Sequence, residues 1–537
     1  MPTPHRPHIV LVVTLIATIT YGAEDPIVID GLFPEWTDRP VSATDRSGDG
    51  TDVDLVGLRV ADTPYRLHLL VDFAFETDLS ENNALEILID TDDDPSTGLQ
   101  REGIGAEIRF AFGEREGCFY PDRTSSPEDG VQIWHSDLSF QAAPTVTSDR
   151  FEIAFDRDAV VDGDVVFGTS PVSIVLIEED GDRIPDVGAV VHTFDLAAPP
   201  PIRDVSIRRE RADDIRLMSW NVLRDSPWSS DEAEKYERIV QAIDPDVVHL
   251  QEIYEHSTTE TRLLFGAWLG DADDWYAAGN YDCKTLSRYP ILHSEALSGN
   301  LVVLLDTVDE LGTTLLAINA HTPCCGNDDG RQWEIDEMNS FLGRVRSGQH
   351  PDVPADTAVQ IVGDLNLVGF RQQLDSLVTG DIVYEGDWGG DIDPDVDGSD
   401  LLDTRPIHTE DRLSYTWRND WSSFWPGRLD VSIISDAVLE PGRQLVVETR
   451  SMGSERLAEY GLQAEDSSGS DHLAMITDVR PISPSVPGDL DGDGRVNGSD
   501  LGLLLSVWNQ KSQDYDLTGD GIVTGKDIGA MLASWTG

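Results

Sequence analysis

Six short stretches between residues 215 and 480 run from apolar residues into side chains that can ligate, donate or accept. They are Ser219-Trp-Asn221, Asp246-Val-Val-His-Leu-Gln251-Glu252, Ile318-Asn-Ala-His321, Gln360-Ile-Val-Gly-Asp364-Leu-Asn366, Arg428-Leu-Asp430 and Ser470-Asp471-His472. A β-strand alternates its side chains between faces, so Asp364 and Asn366 are expected to point the same way, as are Asn319 and His321. An acid and an amide on one face of a strand tip suit the orientation of a water beside a metal ion. A single such end is an ordinary turn, since Gly, Asp and Asn are all turn residues. Six of them in one domain, each offering Asn, Asp, Glu or His, describe a site assembled on strand tips.

The elements that would carry these tips alternate between strand and helix from about 214 to 482. Residues 215–220 read as a strand, 231–243 as a helix and 247–250 as a buried strand. Residues 301–305 and 314–318 read as a hairpin pair, 331–345 as a helix and 358–362 as a further strand. This mixture predicts a layered α/β domain with substantial antiparallel character. The order of the tips, with Leu250-Gln-Glu252, Gly363-Asp-Leu-Asn366, Ser470-Asp-His472 and Ser287-Arg-Tyr-Pro-Ile291, resembles the endonuclease/exonuclease/phosphatase superfamily of DNase I-like enzymes. The resemblance implies a four-layered α/β sandwich with its site at one end of two packed sheets.

It also implies roles. Glu252, with Asn221 beside it, would hold Mg²⁺ or Mn²⁺, hard cations that want oxygen donors. Asp364 would position or deprotonate the attacking water, and Asn366 would hold a phosphate oxygen or orient that water. His472, oriented by Asp430, and His321 would act on the phosphoryl oxygens or the leaving group. Asp471 would be a second metal-site or water-orienting carboxylate. A carboxylate behind a histidine fixes its tautomer and stabilises the imidazolium. Leu223 stands where some apurinic endonucleases carry an acid, which speaks against that branch. Trp417, Trp421, Phe424 and Trp425 precede Arg428 and suit either stacking on a base or lipid, or plain packing. Cys283 is expected to pair with Cys324 or Cys325 in an oxidising compartment.

Charge limits the substrate. The 537 residues carry 100 Asp and Glu against 38 Lys and Arg, a formal net charge of −62. Such a surface cannot hold a duplex by broad counterion release, so any phosphate must be met locally. Residues 1–23 read as an export signal, because the run Ile9–Ile19 is too short to span a bilayer. The mature chain is therefore expected to be secreted, with no transmembrane segment.

Flanking regions complete the layout. Residues 25–198 alternate as an all-β sandwich: Leu67, Leu69, Val71 and Phe73 against Arg66, His68 and Asp72. Ile29-Asp-Gly31, Pro34-Glu-Trp36 and Leu85-Glu-Ile-Leu-Ile-Asp90 resemble family 9 carbohydrate-binding modules, which implies a glycan partner. Asp90, Asp92, Asp93 and Asp94 form one acidic loop and Glu178, Glu179, Asp180 and Asp182 another, of the kind that is solvated or holds Ca²⁺. A proline-rich linker, 199–213, and a shorter one, 483–487, separate three units.

The tail, 488–537, repeats a twelve-residue loop. Its oxygen donors fall at the first, third, fifth and twelfth positions: Asp489, Asp491, Asp493 and Asp500, then Asp516, Thr518, Asp520 and Asp527. That is the spacing of a calcium loop. One helix after each loop and Asp at the twelfth position resemble dockerin modules, implying Ca²⁺ and a cohesin-like partner. Lys526 departs from the family's hydroxyl pair. The chain is thus expected to be a secreted metal-dependent phosphoesterase acting on phosphodiesters, nuclease-like. A phospholipid or sugar-phosphate phosphoesterase and a non-catalytic glycan-binding or scaffold-docking protein are the competing readings.

Overall fold

Two sheets, each with one face of short apolar alternation and one of helix-facing residues, form the centre of the chain. The computed structural model describes residues 26–536 except 170, 180, 196–204, 483–486, 492–494 and 513–514. Residues 1–23, expected to be an export signal, the prolines of the first linker, Asp180 of the second acidic loop and the tail residue Asp493 lie outside the described residues. In the first sheet, Ile215–Asn221 lies between Val247–Gln251, its parallel partner, and Ala474–Pro481, its antiparallel one. In the second, Leu315–His321 and Ala358–Asp364 are parallel neighbours, and Asp430–Ile434 runs antiparallel to the latter. Leu217, Val247, Leu301, Val303, Ala317 and Ile434 fill the space between the sheets.

Helices cover the outer faces. Ala233–Ile243 packs Tyr236, Ile239 and Val240 on Met218, Trp220 and Leu250 of the first sheet. Asp328–Arg346 packs Ile335, Met338 and Phe341 on Leu316, Ile318 and Ile361 of the second. The result is the four-layered α/β arrangement that the resemblance implied. Gly363 has φ +132°, and a Cβ there would sit 2.1 Å from the Ala320 carbonyl oxygen, so only glycine lets the two parallel strands meet at their ends.

The N-terminal region is a two-sheet β structure, as expected, but it is not a module held only by its linker. Leu67, Leu69, Val71 and Phe73 face the core between its sheets. Leu70 and His68, on the face read as polar, are buried too, at 0% and 3% exposure. Leu70, Ala61 and Ala154 join Ile29, Trp36, Leu413, Tyr415 and Leu473 in one apolar cluster shared with the central domain. Fully burying a side chain of Leu or Ile size contributes roughly 1.5–3 kcal/mol, so this seam is substantial. Polar contacts border it: Arg66 pairs with Asp411 at 2.6 Å, and Ile29 exchanges backbone hydrogen bonds with Arg412 and Ser414. The segment Asp30-Gly31 donates both amides to Glu152 Oε1, and Trp36 Nε1 donates to Glu152 Oε2. These residues build the seam between domains.

In the tail, helices Gly498–Ser506 and Gly525–Ala533 follow the two loops and close on Val496, Leu504, Val523 and Met531. Each carries a capping box in which Asp500 or Asp527 accepts the N-cap backbone N–H. Among the described residues no helix is long and apolar enough to cross a membrane.

Candidate active site

Strand register decides which tips meet. His321 is the Cα partner of Asp364, and Asp364 that of Asp430, so three chemically active side chains end side by side on the second sheet. On the first sheet Asn221 partners Gln251, which places Glu252 just beyond the strand end. His472 sits two residues before Ala474–Pro481 and is pinned to the same sheet, since Trp220 Nε1 donates to its carbonyl. Ser470 Oγ donates to the Asn221 carbonyl and accepts the His472 N–H, which locks the Ser-Asp-His turn on the strand tip.

These residues converge on one carboxylate. Asp364 Oδ2 accepts a hydrogen bond from Asn221 Nδ2 at 2.9 Å and faces His472 Nε2 at 3.5 Å and His321 Nε2 at 3.6 Å. Asp364 Oδ1 accepts the Asn366 backbone N–H at 3.0 Å. The expected shared strand face of Asp364 and Asn366 is therefore not how they are related. The strand ends at Asp364, and Asn366 lies in a left-handed turn at φ 48°, closed by the Asp364 carboxylate. This is an aspartate turn, in which the side chain replaces the next ladder bond. Asn366 Nδ2 donates to the Thr322 carbonyl, tying it to the segment after His321.

Each histidine has its own carboxylate. His472 Nδ1 meets Asp430 Oδ2 at 2.8 Å, the pairing expected from sequence. His321 Nδ1 meets Asp282 Oδ2 at 2.5 Å, a pairing no sequence motif announced. Asp282 also accepts the Glu252 backbone N–H at 3.1 Å, helping to hold Glu252 at the left-handed φ of 64°. Its one sequence signal was an acid immediately before the buried strand Cys283–Ser287. Burial pulls the His321 ring down, but the Asp282 hydrogen bond and the charges of Asp364, Asp282 and Glu252 outweigh it and push it up to about 9. Burial likewise opposes charge on His472, and Asp430, Asp364 and Asp471 outweigh it, pushing that ring up to about 10. Both rings are imidazolium at neutral pH, each a donor aimed at the same spot.

Other expected residues fall differently. Asp471 Oδ2 accepts the Trp417 indole N–H at 3.1 Å and so turns toward the aromatic loop. Asn319 is fully buried between the sheets, with Oδ1 accepting from Gln251 Nε2, so it braces the sheets and does not reach the tips. Arg428 forms a bidentate pair with Asp403 and is committed there. Trp425 packs edge-on against Phe140 at 5.0 Å, inside the sandwich core, while Trp421 is 98% exposed. Cys324 pairs with its neighbour Cys325, and Cys283 is a buried free thiol, so the expected bridge from Cys283 to this rim does not form.

Residues 218–472 match the Endonuclease/Exonuclease/phosphatase family. The central domain is an endonuclease/exonuclease/phosphatase domain. It is a hydrolase acting on phosphate esters. Similar solved structures include a D. rerio TDP2 humanized by 14 mutations, 15% identical, covering 50% of this chain and 100% of that one, with a TM-score of 0.32. ANGEL2, a 2′,3′-cyclic phosphatase in complex with adenosine-2′,3′-vanadate, is 15% identical over 53% of this chain and 99% of its own, with a TM-score of 0.34. A beta toxin from Staphylococcus aureus is 15% identical over 49% and 99%, with a TM-score of 0.30. No curated protein matches the chain.

Enzymes of this family typically use a divalent metal such as Mg²⁺. The phosphoesterase domain offers a donor set that fits one. Glu252, Asn221 and Asp364 are joined by hydrogen bonds through Asn221 Nδ2, which lies 3.2 Å from Glu252 Oε1. The Glu252 and Asp364 carboxylates suit a hard cation, while Asn221 turns its Nδ2 to both and its Oδ1 accepts the Leu223 N–H.

Proposed function

We propose that this chain is an exported phosphodiesterase, nuclease-like in its chemistry, in which water attacks phosphorus in line with the leaving oxygen. The observation that carries the reading is the convergence of Asn221, His321 and His472 on Asp364 Oδ2. Asp364 Oδ2, which faces the space between the two rings while Asn221 Nδ2 donates to it, takes the proton of the attacking water. The His472 imidazolium donates to a non-bridging oxygen, stabilising the charge that grows as the new P–O bond forms. The His321 imidazolium protonates the leaving oxygen as the old P–O bond breaks. Asp430 and Asp282 keep both rings oriented and charged. Glu252 and Asn221 would hold Mg²⁺ or Mn²⁺, which supplies neutralisation of phosphate charge.

A phospholipid substrate is the second reading, and Trp421 favours it. A 98% exposed indole on the loop next to Asp471 is placed to enter an interface. The tail would bind Ca²⁺ in its two loops and dock a cohesin-like partner, and the sandwich would take a glycan. Asp489, Asp491 and Asp500 already lie within 4.8 Å of one another, whereas Lys526 pairs with the proposed ligand Asp520 at 2.7 Å.

The test is turnover of plasmid DNA, RNA, sphingomyelin and bis(4-nitrophenyl) phosphate with Mg²⁺, Mn²⁺ or Ca²⁺, beside Asp364→Ala and His472→Ala. Activity on DNA or RNA that both substitutions reduce by on the order of 10³-fold supports the first reading. Preference for sphingomyelin supports the second. Equal traces from wild type and variants on all four substrates would sink both.

A further inference from the structure

The N-terminal sandwich holds a cluster of acids for which the phosphoesterase has no use. Asp90 ends the strand Glu86–Asp90 and is 1% exposed, and Glu107, just before Ile108–Ala111, is 7% exposed. Together with the exposed Asp92 they bring carboxylate oxygens within 4.8 Å of one another. Acidic clusters on surfaces are common, but two of these three are inside the protein. Glu107 Oε2 accepts from the Thr91 N–H at 2.7 Å and the Thr91 hydroxyl at 3.2 Å. Its other oxygen, Oε1, is buried with no hydrogen-bond partner. A buried carboxylate oxygen without a partner is costly, so its retention asks for a counterpart.

We propose that Asp90, Asp92 and Glu107 form a Ca²⁺ site that fastens the Asp90–Gly98 loop to the sandwich. The loop is shaped for this. Asp90 Oδ1 and Asp92 Oδ1 both accept the Asp94 N–H, at 3.1 and 3.0 Å, which curls the chain into a ring of oxygens. Asp90 Oδ2 accepts the Gly105 N–H at 3.2 Å. A Cβ on Gly105 would sit 2.5 Å from the Thr97 carbonyl oxygen and 2.8 Å from that of Asp94, so glycine there lets the strand lie close against the loop. The donors are all oxygen, which excludes soft metals and matches Ca²⁺. Carboxylates drawn from a strand end, a loop and a neighbouring strand suit the adaptable, mono- or bidentate coordination of Ca²⁺ better than the strict octahedron of Mg²⁺. The arginines near the loop are engaged elsewhere, since Arg101 and Arg109 both pair with Glu86.

The tail loops are a separate candidate for Ca²⁺, so the test must resolve position along the chain. Hydrogen–deuterium exchange of the full-length protein, read by mass spectrometry in EGTA, in Ca²⁺ and in Mg²⁺, does so. We expect peptides spanning residues 88–107 to exchange at least tenfold more slowly in Ca²⁺ than in EGTA, and Mg²⁺ to leave them unchanged. Glu107→Gln keeps the shape, removes the charge and is expected to abolish this response while leaving exchange in Arg66–Thr77 as in wild type. Equal exchange of 88–107 in Ca²⁺ and EGTA overturns the proposal. So does an undiminished response in Glu107→Gln, or the same protection from Mg²⁺.

Discussion

At Asp282 two functions pass through one oxygen. Oδ2 meets His321 Nδ1 and also the backbone N–H of Glu252, so one carboxylate orients the proton donor and seats the expected metal ligand. Asp282→Asn keeps the shape and removes the charge. It is expected to lower kcat by roughly 10–100-fold, the usual cost of losing a carboxylate behind a site residue, and to weaken Mg²⁺ dependence in titrations of activity. Unchanged kcat and metal affinity would assign Asp282 to packing alone. The sequence revealed Asp430 because it lies in a motif, Arg428-Leu-Asp430, that repeats the strand-tip pattern. It concealed Asp282 because that residue reaches His321 across 39 positions, from the turn before Cys283–Ser287 in the other sheet.

The loop from Leu413 to Leu429 is the element that joins the two larger domains to the site. Thr416 Oγ1 accepts the N–H groups of both Leu429 and Asp430, and Trp417 holds Asp471. At its far end Trp425 enters the sandwich core beside Phe140 and Phe110. Phe424 stacks under the Arg115 guanidinium at 4.0 Å, and His135 Nε2 lies 3.1 Å from the Ser422 carbonyl. The sandwich thus supports the rim of the phosphoesterase site. Trp425→Ala leaves a cavity at this anchor and is expected to cost about 3–5 kcal/mol in urea unfolding. Activity should fall with it although Trp425 touches no site residue, because the loop loses its fixed end. A variant as stable and active as wild type would show that the loop needs no such anchor. From sequence alone, packing and ligand contact were equally good readings of these aromatics. The structure divides them, burying Trp425 and exposing Trp421.

Across the whole molecule, the shared apolar seam predicts that sandwich and phosphoesterase domain unfold together. Scanning calorimetry of residues 26–482 should give one transition; two well-separated ones would mean the seam is weak. Glu448, near the seam, gives a pH signature. Burial opposes its charge, but Arg450 and its hydrogen bond, His408 and Ser451 outweigh that and hold the carboxyl down at about 2. A carboxylate lowered on folding stabilises the protein above the unfolded value near 4.5 and loses that contribution as pH falls toward 2. The expected loss between pH 5 and pH 3 is about 2 kcal/mol, absent in Glu448→Gln and measured by urea midpoints at those two pH values. Local pattern by itself determined the strand tips, the α/β alternation, the β-rich N-terminal third and the tail loops with a helix after each, because periodicity and turn chemistry are written in adjacent residues. Only tertiary structure decided that Asp282 backs His321, that Cys283 stays a buried free thiol apart from Cys324 and Cys325, and that the sandwich is seated on the site's rim. Each of those depends on which distant faces come to be buried against one another, and the alternation of a strand is the same whether its outer face meets water or another domain.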